Sequence, residues 1–223
     1  MRVSSPSRTS GRGKLLRRVT LGAIVGALLL PGATMAAATP PVAAPSKSLT
    51  AQWWQTYVAL SADDAANRCD LGAGDVVFLG ATATGSVSGE CTLAAGTSVL
   101  LPLINVECSS LEVDTDFFGA NPGQRLICAK RFADEFTDLS LTINGVAVGN
   151  LHRLRVRSQP FEFSPVSGNT FGIPAGTGGS VSDGYWALIG PLAPGDYEIV
   201  ASGSVPTPDG SFTTDIVYRL HVV

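Results

Sequence analysis

A chain of 223 residues, 45% apolar and 15% charged, is long enough for one domain with a substantial core and too short for two ordinary domains with linkers. Fifteen Lys and Arg against 18 Asp and Glu give a formal net charge of −3, which argues against a nucleic-acid binder. Two histidines and four cysteines leave little material for a His-based metal site or proton relay.

Met1 to Val19 carries six cations and no acid. Leu21 to Leu30 is apolar, Pro31-Gly32 breaks the run, and small residues follow through Ala38. A basic stretch, a short apolar stretch and a small-residue exit make residues 1–38 a secretory signal peptide with cleavage after Ala38. The apolar run is about half the ~20 residues that span a bilayer, so no stable membrane insertion is expected after cleavage. Arg17-Arg18 leaves both the general and the twin-arginine export routes open. Fifteen cations less these six leaves nine against 18 acids, a net charge of −9 for the mature chain. Such a domain repels nucleic acid and anionic lipid, and its expected place is secreted, periplasmic or on the outside of the cell envelope.

Residues 39–48, with Pro40, Pro41 and Pro45 among small residues, read as a flexible leader before a domain at 49–223. Trp53, Tyr57 and Leu60 recur at helical spacing, so 50–60 is predicted as a short amphipathic helix capped by Thr50. Its adjacent tryptophans fit core anchors better than a sugar platform. Strands follow at 75–80, 86–93 and 97–106, where Pro102 implies an edge or a bulge. Cys128 to Phe136 reads as a helix. Asn144-Gly145 between apolar runs predicts a type I′ hairpin. Strands are expected at 154–157, 161–163, 185–189, 196–201 and 211–222. Residues 166–184, rich in Gly, Ser and Thr, read as a long loop. The sum is mainly β: a single immunoglobulin-like β-sandwich with a short N-terminal helix and one inserted helix. Loops 109–126 and 164–184 would be its contact surfaces.

Cys69, Cys91, Cys108 and Cys128 are spaced by 22, 17 and 20 residues, without the close pairs of a zinc site. In an exported chain an even count predicts two disulfides. Cys69–Cys91 with Cys108–Cys128 is the favoured pairing, and Cys69–Cys108 with Cys91–Cys128 its rival.

Chemistry-bearing patterns are few. No Gly-x-Ser-x-Gly, P-loop or dinucleotide fingerprint occurs. His221 sits in an alternating strand and His152 beside Arg153, and neither reads as a catalytic base. Glu107, Glu112, Asp114 and Asp116 fall within ten residues. Glu112, Asp114 and Asp116 are the candidate ligands for calcium, the one candidate cofactor, although the spacing is not that of an EF-hand and a solvated acidic loop competes. Arg153, Arg155 and Arg157 alternate, which on a strand gathers three guanidiniums on one face for an anion; pairing with neighbouring acids competes. Tyr185 and Trp186 close the long loop as a candidate sugar-stacking pair, against the stronger reading of Trp186 as a core residue of the strand after an Asp183-Gly184 turn.

The segments Asp75-Val-Val-Phe-Leu-Gly80, Cys91-Thr-Leu-Ala-Ala-Gly96, Leu100-Leu-Pro-Leu-Ile-Asn-Val-Glu-Cys108, Thr137-Asp-Leu-Ser-Leu-Thr-Ile-Asn-Gly-Val146 and Ser182-Asp-Gly-Tyr-Trp186, after the Trp53-Trp54 helix, resemble in order and spacing a group of exported bacterial proteins without an assigned activity. The resemblance covers most of 50–222. It implies export and one domain, and brings no activity, catalytic residue or cofactor with it. The expectation is therefore a non-catalytic binding or structural module, with a glycan or another exported protein as partner. An exported carboxylate-dependent hydrolase, with or without calcium, is the alternative.

Overall fold

The computed structural model describes residues 39–66, 68–208 and 210–223; the segment read as a signal peptide lies outside the described residues. In chain order the elements are β1 (Val42–Ala43), α1 (Lys47–Val58), α2 (Ala62–Ala65), β2 (Gly72–Ala73), β3 (Val76–Phe78), β4 (Ser86–Leu93) and β5 (Ser98–Ser109). Then come α3 (Pro122–Ala133), β6 (Thr137–Ile143), β7 (Val146–Ala147), a 3-10 turn (Leu151–Leu154), β8 (Arg155–Arg157), β9 (Phe161–Phe163), β10 (Gly178–Ile189), β11 (Gly195–Thr207) and β12 (Gly210–Val222). The protein is mainly β, in two sheets. One runs β1-β10-β5-β3-β2, with β8 and β9 also on β10; the other runs β4-β12-β11-β6-β7. Most pairings are antiparallel, but β3–β5 and β4–β12 are parallel.

Alternation explains the layering. Val99, Leu101 and Leu103 of β5 and Ala187 and Ile189 of β10 point to the second sheet, where they meet Leu141, Ile143, Ile199, Ile216 and Leu220. The opposite face of the first sheet is covered by α1. Trp53, Trp54, Tyr57 and Val58 pack there with Phe78, Leu100, Val156 and Trp186. Both disulfides form in the favoured pairing, Cys69–Cys91 and Cys108–Cys128, and the second ties α3 to β5. The Asn144-Gly145 hairpin has both residues at positive φ, 52° and 74°, as a type I′ turn requires. No helix among the described residues is long and apolar enough to cross a membrane.

Four local expectations change. Residues 39–48 are not a free leader: Val42 and Ala43 pair with Ile189 and Leu188, and Ser46 Oγ caps α1 by accepting from Leu49 N. Thr50 lies inside the helix, and its hydroxyl donates to the Lys47 carbonyl. The second helix starts six residues earlier than predicted, because Asn121 accepts from Gln124 N as an N-cap and Pro122 supplies the first turn. The long loop at 166–184 ends in strand. From Gly178 onward its small residues belong to β10, the central strand of its sheet, and are small for close packing. A Cβ on Gly184 would lie 2.5 Å from Asn105 Cα, and one on Gly179 would lie 2.7 Å from the Arg125 guanidinium.

Pro102 marks a bulge. Tyr185 pairs with Ile104 and Trp186 with Pro102, so Leu103 is the extra residue of β5. Leu103 and Ile104 are consecutive, yet both face the inter-sheet core. The bulge reverses the alternation beyond it. Without that reversal Asn105 and Glu107 would point between the sheets; with it they point to the α1 side.

Candidate acidic cleft

Past the bulge, β5 presents Asn105, Glu107 and Ser109 on one face, opposite Gly184, Ser182 and Ser180 of β10. Glu107 is 4% exposed. The Ser180 hydroxyl donates to its Oε2. Glu112 approaches from the loop that follows β5. That loop folds back because Ser109 N donates to Phe117 O (3.0 Å) and Gly119 N to Ser109 O (2.9 Å). The Ser109 hydroxyl then donates to Glu112 Oε2 at 2.8 Å. Each carboxyl thus has its own serine, and the two acids are close enough to hydrogen bond one another when one holds a proton. Arg125 of α3, 7% exposed, lies behind them and donates to the Gly119 carbonyl at 3.1 Å.

Burial pushes the Glu107 carboxyl well above the usual carboxylate range, and the charge of Glu112 pushes it further; Ser180 and Arg125 pull it partly back. Burial also raises Glu112, against its hydrogen bonds from Glu107 and Ser109. The pair therefore keeps a proton to higher pH than an isolated glutamate does.

The acids open onto a cleft of about 160 Å³ walled by Trp54, Asn105, Phe117, Phe171 and Ile173. Its walls are fixed from several directions. Phe117 stacks on Phe132 of α3 with ring centroids 4.9 Å apart, and Trp54 meets Phe171 at 4.7 Å. Asn169 is 5% exposed and clamps the 166–173 turn: its amide donates to Val166 O (2.8 Å) and Ile173 O (2.7 Å), and its Oδ1 accepts from Phe171 N (3.1 Å). Two buried polar atoms of the lining have no hydrogen-bond partner, Trp54 Nε1 and Asn105 Oδ1, and Glu107 Oε1 has none beyond a proton shared with Glu112. By contrast, neighbouring Trp53 Nε1 donates to Leu79 O at 2.8 Å.

The sequence-predicted sites are distributed differently. Glu112 joins the cleft, whereas Asp114 and Asp116 stay exposed in the loop. The structure therefore does not gather the proposed calcium ligands, and no cluster of three His, Cys, Asp or Glu fit to hold a metal occurs among the described residues. The three arginines do not share one strand face. Arg153 falls in the 3-10 turn and donates to Val42 O at 3.2 Å. Arg155 is held by Asp183 (3.0 and 2.9 Å) and Asp134 (2.9 Å), which raises its pKa. Arg157, on the same face as Arg155, lines with Lys47 and Lys130 an open groove of about 540 Å³ on that side. Arg155 lines the same groove while paired with Asp134 and Asp183. Tyr185 and Trp186 form no platform. Being consecutive on a strand, they point to opposite faces: Tyr185 enters the inter-sheet core, and Trp186 packs on Trp53 with ring centroids 5.4 Å apart. His221 pairs with Asp196 at 2.6 Å on the exposed face of the second sheet.

Sequence reasoning named Glu107 and Trp54 without assembling them and passed over Asn105. The available signal was the polar alternation Asn105-x-Glu107 at the end of an otherwise apolar strand, and its match in Ser180-x-Ser182. Comparison of the chain with protein-family models, with curated proteins and with solved structures found no match.

Proposed function

We propose that this chain is an exported, non-catalytic binding module whose ligand site is the cleft over Glu107 and Glu112. The observation that carries the reading is that Trp54 Nε1 and Asn105 Oδ1, both without partners, belong to residues that line one cleft with the Glu107–Glu112 pair. Buried polar groups in folded proteins are overwhelmingly paired, so two orphans in one lining fit groups that a ligand satisfies. Two disulfides and the acidic balance of residues 39–223 support a life outside the cytoplasm and a partner other than nucleic acid. The kinship with immunoglobulin-like sandwiches belongs to this proposal: two packed sheets support it, while the parallel pairings of β3–β5 and β4–β12 set the chain apart from an all-antiparallel arrangement.

The test is a fragment screen read by NMR on the disulfide-bonded protein. Hits are expected to move the Trp54 indole N–H and the Asn105 amide together. Hits confined to other surfaces, with those two signals unmoved, overturn the reading.

The carboxyl pair itself favours a second reading, a carboxylate-dependent hydrolase in which one glutamate acts as acid and the other as base toward water. It requires turnover of a glycoside or peptide substrate with a bell-shaped pH profile that Glu112→Gln abolishes. Binding without turnover leaves the module reading in place.

A further inference from the structure

Building on the ligand-site reading, the charge balance of the cleft identifies the chemistry of the ligand. Four elements pack around Glu107. β10 brings the Ser180 hydroxyl, α3 brings Arg125, the loop after β5 brings Glu112, and α1 brings the neutral Trp54. With both acids ionised and Arg125 charged, this group carries one net negative charge in a largely dry setting. Below its raised pKa the carboxyl pair holds one proton, which cancels that charge.

We propose that the cleft binds a primary ammonium group, which takes the place of that proton. Three acceptors belong to residues that line the cleft: the buried Glu107 Oε1 and Asn105 Oδ1, and the Glu112 carboxylate. A primary ammonium has three N–H donors and no acceptor, and so matches this set. The walls are aromatic, from Trp54, Phe117 and Phe171, and ring faces attract a cation. A hard metal ion fits less well, since calcium takes about six to eight oxygens. A volume of about 160 Å³ admits a small head group rather than a whole sugar chain. The remaining orphan, Trp54 Nε1, is a donor. It fits an oxygen carried on the carbon chain beside the amine, as at the N-terminus of a peptide. A simple alkyl amine lacks that oxygen, so the two sources of ammonium are separable.

The experiment is isothermal titration calorimetry of the disulfide-bonded protein with glycinamide and with propylammonium, in two buffers of different ionisation enthalpy. Below the raised pKa of the pair, binding is expected to release about one proton, and affinity to rise with pH above the ordinary glutamate range by up to about tenfold per unit. Glu112→Gln should weaken both amines by about tenfold or more. Trp54→Phe should weaken glycinamide and spare propylammonium if a peptide N-terminus is the source, and affect the two equally if an alkyl amine is. Phe117→Ala, at the exposed rim, is the second variant should Glu112→Gln fail to fold, and it too should weaken both. Neutral methyl glucoside is the control. If it moves the Trp54 indole N–H without proton release while the amines do not, the ammonium assignment falls and the ligand site stands. If neither the amines nor the glucoside moves that signal at tens of millimolar, the ammonium assignment falls, and the fragment screen alone then decides the site. Amine binding with no proton release, or unaffected by both Glu112→Gln and Phe117→Ala, also overturns the assignment.

Discussion

Glu107 shows how one residue links burial to pH. Its carboxyl is nearly inaccessible, and its pKa in the folded protein lies well above the ordinary value of 4.5 because the charged form is desolvated beside Glu112. The native state therefore binds its proton more tightly than the unfolded chain does. The stability this contributes is complete below the ordinary glutamate range and is lost as pH rises through the elevated native value. Glu112 has the same sign. Asp134 has the opposite sign: Lys130 and then Arg155 hold its carboxyl below the usual range, so its contribution is lost as pH falls. The unfolding free energy from urea titration is thus expected to fall as pH rises above the ordinary glutamate range, by about 1.4 kcal/mol per unit of native-state elevation. Glu107→Gln keeps the shape and removes the ionisation, and it should flatten that decline. An equally steep decline in Glu107→Gln would mean that other groups set it.

At the scale of elements, the long pair β5–β10 does two jobs with one backbone irregularity. Before the bulge it contributes alternate apolar side chains to both cores; after it, the same alternation delivers Asn105 and Glu107 to the α1 side. The close approach of the two strands depends on Gly184, because any Cβ there would meet Asn105 Cα and the Ile104 carbonyl within about 2.6 Å. Gly184→Ala is expected to cost about 1–3 kcal/mol by overpacking and to shift Asn105. In an NMR spectrum the Asn105 and Glu107 amides should then move more than those of β11 and β12. A variant of wild-type stability with unmoved Asn105 would show that the strands separate without strain.

For the whole molecule, the two disulfides have unequal consequences for the cleft. Cys108–Cys128 fastens α3, which carries Arg125 and the Phe132 under Phe117, to the strand that carries Glu107. Cys69–Cys91 fastens the segment after α2 to β4, in the other sheet. The loops they close have similar lengths, so each should contribute about 3 kcal/mol in the chain-entropy model. Replacing Cys108 and Cys128 by Ala should lower the unfolding midpoint and also move the Trp54 indole signal. Replacing Cys69 and Cys91 should lower the midpoint by a similar amount and leave that signal in place. Equal disturbance of the cleft by both would place its support elsewhere.

Local rules were sufficient for much of the chain. The Asn-Gly hairpin and the helix under Trp53 and Trp54 follow from short-range patterns whose physics acts within a few residues, while the structure chose the bulge over an edge at Pro102 and the favoured disulfide pairing over its rival. Other features were not legible because their determinants are distant in sequence. The glycines and serines of 178–184 read as loop, since the need for small residues arises only where β10 lies against β5 and α3. Trp186 read as a core residue with a platform role as the alternative, and its packing on Trp53 is what decides for the core. Glu112 read as a partner of Asp114 and Asp116, since loop composition does not show which way a side chain turns. The sequence by itself determined the β-rich class, the presence of two disulfides and the acidic balance, because composition, cysteine count and local periodicity carry them. Only the tertiary structure decided which acids meet: a one-residue bulge and a back-folded loop bring Glu107 and Glu112 together, and that is a property of strand pairing rather than of spacing along the chain.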